Sequence, residues 1–116
     1  LASVGWCFGG GWALNAALAT PLDGCVVYYG RVNKTAEELA PLACPVLGHF
    51  ATQDGFINRE MVAGFEAAMA AAGKEGIVYW YEADHAFANP TGARYDAEDA
   101  ALAWERTQAY LAERLA

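Results

Sequence analysis

Four short apolar runs recur along this chain, each followed by a stretch long enough to cross back over a sheet. They occupy residues 1–6, 24–30, 45–51 and 77–81; glycines bound the second, and Pro45 launches the third. Continuous apolar runs of this length fit strands buried on both faces. The intervening stretches carry helical patterns. Residues 8–20 are rich in Gly and Ala and are stopped by Pro21. Ile57, Met61, Phe65 and Met69 fall every fourth residue on one helical face, which Gly73 is placed to terminate. Ala97, Ala101, Trp104, Gln108, Leu111 and Leu115 trace a terminal amphipathic helix. The order β-α-β-(short α)-β-α-β-α predicts an α/β fold, with a mostly parallel sheet of about four strands and flanking helices. In such sheets ligands bind at the carboxyl ends of the strands.

With 116 residues, 56% of them apolar, the chain forms one domain with a real core. Its net charge of −7 excludes nucleic acid, whose phosphates demand a basic patch. Cys7, Cys25 and Cys44 form no C-x-x-C pair, so neither a metal site nor a disulfide framework is expected, and a reducing cytoplasm is the expected setting. No apolar run approaches the roughly 20 residues of a membrane helix.

Three reactive side chains follow three of the strands: Cys7 after the first, Asp54 after the third, His85 after the fourth. Gly5-Trp6-Cys7-Phe8-Gly9 fits a nucleophile elbow, G-x-nucleophile-x-G, with cysteine at its centre. Such a turn strains the backbone at the nucleophile, and glycines at both flanking positions are expected to relieve clashes. The helix that follows aims its positive end at Cys7, favouring a thiolate, and the Phe8 amide is one oxyanion donor. The competing reading is a buried structural cysteine beside a glycine turn. His85 alone satisfies the chain order nucleophile, acid, histidine, whereas His49 lies within a strand and reads as a satisfied core group or one supporting the site from behind. Asp54, just past a strand end, is preferred as the acid; Asp84, adjacent to His85, is the alternative.

These residues reach a resemblance. Gly5-Trp-Cys-Phe-Gly-Gly10, Tyr28-Tyr-Gly30, Leu47-Gly-His-Phe50 followed by Asp54, and His85-Ala-Phe-Ala-Asn89 resemble the dienelactone hydrolase (carboxymethylenebutenolidase) family, as do Tyr95-Asp-Ala97 and Ala103-Trp-Glu-Arg106. The resemblance spans essentially residues 1–116 and implies the C-terminal half of an α/β-hydrolase domain. It implies a hydrolase that cleaves an ester or lactone through a Cys7 thioester, with His85 as proton shuttle and Asp54 orienting it. No metal or organic cofactor is implied. Tyr29 either lines the pocket, as the family implies, or packs in the core. Phe56 and Phe87 are expected to contact substrate, Trp6 and Phe8 to be wall or core, and Trp12, Trp80 and Trp104 to pack.

Two departures bear on activity. The family's preceding half, with its early strands, second oxyanion donor and thiol-activating carboxylate, is not among these residues. An arginine shortly after the histidine grips the carboxylate of dienelactone in the family; here the stretch reads Ala88-Asn89-Pro90-Thr91, and the first basic group is Arg94. The contrasting expectation is a truncated, catalytically incomplete derivative acting as a self-associating module. Either way the nucleophile strand is expected at an open sheet edge. The 116 residues are then part of a longer chain, or form a homodimer through that edge.

Overall fold

A computed structural model describes residues 1–116. The elements are β1 (Ala2–Trp6), α1 (Phe8–Ala19), β2 (Gly24–Tyr28), α2 (Ala36–Leu39), β3 (Val46–Ala51), α3 (Arg59–Ala71), β4 (Gly76–Tyr81) and α4 (Ala97–Arg114). All four strands are parallel in the order β1-β2-β3-β4, so β1 is an edge strand. The two central strands are buried throughout, the two edge strands only partly.

Alternation along β2 and β3 divides the core in two. Cys25, Val27, Val46 and Phe50 pack with Leu14 of α1 and with Phe65 and Met69 of α3. Val26, Tyr28, Leu47 and Ala51 face the other way, toward Ala103 and Tyr110 of α4. The expected α3 face is buried through Phe65 and Met69, joined by Val62. That helix ends in a Schellman turn: Gly73 takes φ +71°, its N–H donates to Ala70 O at 3.1 Å, and the Lys74 N–H donates to Met69 O at 2.8 Å.

Two packing expectations are corrected. α4 buries Ala103, Thr107 and Tyr110, a face one residue out of phase with the apolar series, so Trp104 stands 47% exposed. The reason is polar. The Tyr110 hydroxyl donates to Pro45 O and accepts from the Cys25 N–H at 3.1 Å, tying α4 to the starts of β2 and β3. Counting apolar residues hides a buried face built partly on hydroxyls. Trp12 is 59% exposed, because α1 approaches the sheet on Ala13, Leu14 and Ala17 and turns its large side chain outward. Trp80 does pack, between Phe50 at 5.7 Å and the Arg59 guanidinium at 4.5 Å. No helix is long and apolar enough to cross a membrane.

Candidate active site

Cys7 occupies a one-residue turn between β1 and α1 with φ 54° and ψ −124°, a conformation L side chains rarely adopt. Its N–H donates to Tyr28 O at 3.0 Å, and its carbonyl accepts from the Gly10 N–H at 2.9 Å. The glycine requirement is one-sided. A Cβ at Gly5 would stand 2.0 Å from Gly9 O, whereas a Cβ at Gly9 meets nothing within 4 Å. Phe8 opens α1, so its N–H has no acceptor inside the helix and is available to a ligand. Against the helix end that favours a thiolate, partial burial and then the Asp54 charge push the Cys7 thiol above its ordinary value, and Arg94 offsets this only in part.

A base lies on the same cavity. The turn after β3 buries Asp54, whose Oδ1 accepts from the Phe56 and Ile57 N–H groups at 2.8 and 2.9 Å. Its Oδ2 accepts from His85 Nδ1 at 2.6 Å. A proton held on Nδ1 leaves Nε2 as the basic nitrogen. Asp84 does other work: its Oδ1 accepts from the His85 backbone N–H at 2.7 Å, and its Oδ2 lies 3.8 Å from Arg94 Nε. The structure thus joins His85 to Asp54 and leaves Asp84 supporting the loop.

The cavity, of about 390 Å³, is lined by Cys7, His85, Tyr29 and Phe56 among others. Tyr29 is fully buried, its ring 5.2 Å from His85. Phe8 and Phe56 stand exposed at the mouth. Phe87 departs from its expected role. It is fully buried behind Tyr29, at 5.3 Å, and beside Tyr81, at 5.0 Å, so it supports the wall and does not form it. No cluster of three or more His, Cys, Asp or Glu side chains is gathered in a way that could hold a metal ion.

The dienelactone hydrolase family model matches residues 1–115. This chain belongs to the dienelactone hydrolase family. It is 31% identical over 112 residues to the carboxymethylenebutenolidase of Pseudomonas sp. strain P51, covering 92% of this chain and 45% of that one. A second carboxymethylenebutenolidase, from Cupriavidus pinatubonensis, is 28% identical over 113 residues, covering 97% of this chain and 48% of the other. The crystal structure of a Klebsiella pneumoniae relative superposes with a TM-score of 0.87 at 31% identity, over 94% of this chain and 50% of that one. A dienelactone hydrolase-like promiscuous phosphotriesterase from metagenomic libraries shares the fold, with a TM-score of 0.88 at 24% identity over 97% of this chain and 52% of its own. The chain thus spans about half the length of the relatives it matches.

His49 is the core group the sequence predicts for this family member. It is fully buried, with Nδ1 2.8 Å from the Tyr81 hydroxyl and Nε2 2.9 Å from Thr107 Oγ1. Arg106 donates to the same Tyr81 oxygen at 3.1 Å, so both ring nitrogens of His49 have a hydroxyl partner and Tyr81 is held from two sides. Burial, aided by the Arg106 charge, pushes His49 down to about 3 and keeps it neutral.

Motif reading missed the polar wall of the cavity in this dienelactone hydrolase relative: Asn15 on α1, and Arg31, Asn33 and Lys34 after β2. The sequence signal was slight, a single apolar Val32 among polar neighbours. That residue is buried and accepts from the Lys34 N–H at 2.8 Å, a tight turn that presents its neighbours to the cavity.

Proposed function

We propose that this domain hydrolyses a carboxylic ester or lactone through a thioester on Cys7. His85 Nε2 takes the thiol proton as Sγ attacks the carbonyl carbon. The Phe8 N–H receives the oxyanion. Collapse expels the alcohol oxygen, which leaves with the proton from His85. His85 then deprotonates a water that attacks the thioester; the acid departs and Sγ regains its proton. Asp54 holds the imidazole tautomer and offsets the charge that develops on it.

The observation that carries this reading is the 2.6 Å Asp54–His85 pair, whose His85 lines one cavity with a cysteine on a strained strand-to-helix turn. The substrate is a small molecule, no resident cofactor takes part, and the working thiol belongs in a reducing cytoplasm. Intact-protein mass spectrometry with a slowly hydrolysed ester tests it. One acyl group on Cys7 is the expected result; acylation of Cys25 with Cys7 untouched would sink the assignment.

A second reading draws on β1. It forms the sheet edge, and α1 beside it carries no charged side chain while exposing Phe8 and Trp12. On that reading the domain is catalytically incomplete and self-associates through the edge.

A further inference from the structure

Two cavities meet at Cys7. The one of about 390 Å³ runs from His85 toward the turn after β2; the other, of about 380 Å³, lies toward Trp6 and Pro90. They share only Cys7 and Tyr29. Tyr29 cannot swing aside easily, because it is fully buried between His85 and Phe87.

The two differ in chemistry. The first is lined by Arg31 and Lys34, with Asn15 and Asn33, and by no carboxylate. Two of the chain's seven Lys and Arg side chains therefore face one cavity of a protein with net charge −7. Neither is within ion-pair distance of a carboxylate, the ion pairs being those of Asp23 with the chain amine, Asp54 with His85 and Asp84 with Arg94; Lys34 acts on Glu38 only through a weaker, longer-range charge effect. The second cavity has no charged lining residue. Trp6, stacked on Tyr28 at 5.1 Å, and Pro90 form its flat apolar walls, with Ala88 and Asn89 beside them.

A lactone carries its acyl and alkoxy sides in one ring and needs one cavity. Two cavities diverging from the nucleophile fit an ester with two separate arms. Resting on the reading of Cys7 as nucleophile, we infer that the site takes open-chain esters, with an anionic acyl arm along Arg31 and Lys34 and an apolar alcohol arm against Trp6 and Pro90.

The test compares mono-4-nitrophenyl adipate with 4-nitrophenyl hexanoate on the 116-residue chain. Nitrophenolate release and Cys7 acylation are followed, with 3,4-dihydrocoumarin as the lactone. The anionic ester is expected to react about tenfold faster than its neutral counterpart, as a charge-assisted contact allows. The ratio should shrink with added salt, because Arg31 is solvent-exposed. It should fall toward one in the Arg31→Gln/Lys34→Gln variant and return in Arg31→Lys. Equal acylation of Cys7 by both esters, a ratio that survives the double substitution, or faster turnover of the lactone overturns the inference and leaves the thioester reading standing. Failure of every ester to acylate Cys7 overturns both.

Discussion

Asp54 and His85 stand 31 residues apart in sequence, yet one carboxylate oxygen meets Nδ1 of the imidazole at 2.6 Å while the other is held by two backbone N–H groups. The carboxylate is therefore anchored through one oxygen while the other meets the imidazole, and its charge acts on Cys7 as well. One side chain thus has two separable effects.

Asp54→Asn separates them. With the imidazole tautomer no longer held, kcat should fall by roughly 10³–10⁴-fold with KM little changed. The titration of Cys7, read from iodoacetamide alkylation against pH, should move down, because a negative charge that raises it is gone. An upward move alongside the kcat loss contradicts the account.

Wild-type alkylation tests the resting thiol. Cys7 should react before Cys25, which is buried and pushed up to about 12, and before Cys44, raised mainly by burial. Its rate should still be climbing above neutral pH. A plateau near pH 7, seen by peptide mapping, would mean a preformed thiolate.

The two histidines should part company. His85→Ala should abolish turnover. His49→Gln should leave kcat near wild type and cost about 1–3 kcal/mol of stability, through unpaired Tyr81 and Thr107 groups. An unfolded imidazole takes its proton near pH 6.5, while His49 in the fold resists until about 3. Its contribution is complete above pH 6.5 and is lost as pH falls, by about 1.4 kcal/mol per unit down to about 3. Urea denaturation from pH 7 to 4 should show this slope in wild type and a flatter one in His49→Gln.

Gly5 and Gly9 are not equivalent. Gly5→Ala drives a methyl group into the Gly9 carbonyl and should destabilise the fold by more than 2 kcal/mol or so, as strained core substitutions do. Gly9→Ala meets open space within α1 and should raise stability by about 0.5–1 kcal/mol. Thermal melts of the two variants with opposite signs are the expected result.

The β1 edge makes its own prediction. Light scattering on residues 1–116 should show association, and hydrogen exchange should find β1 the least protected strand in any monomer that remains. A compact monomer with strongly protected β1 amides refutes the second reading.

Strand positions and parallel order were legible because period and breakers are local: apolar runs, Pro21, Pro45 and Gly73 act through neighbouring residues. So was the pairing of Asp54 with His85, since strand ends converge on one edge. The phase of α4 was not legible. It depends on Thr107 and Tyr110 finding partners on β2, β3 and the Pro45 approach, contacts that no periodicity encodes. The raised Cys7 thiol was not legible for a related reason, because burial and the charge of Asp54, distant in sequence, are tertiary effects that no local motif encodes. Phe87 was expected at the substrate from its place beside His85, yet past the positive-φ turn at Ala86 it lies buried.

That turn belongs to a pattern. Cys7, Tyr29 and Ala86 are the three non-glycine residues with positive φ, and they follow the ends of β1, β2 and β4. Each such conformation costs on the order of 1–3 kcal/mol. The places where the chain is least relaxed therefore lie at the candidate site: Cys7 and Tyr29 line its cavity, and Ala86 stands between His85 and Phe87 in sequence. Glycine at any of the three would ease the backbone and remove a side chain from the cavity or its support. On the proposed reading, a lineage selected for durability alone would alter the candidate site before it touched the core.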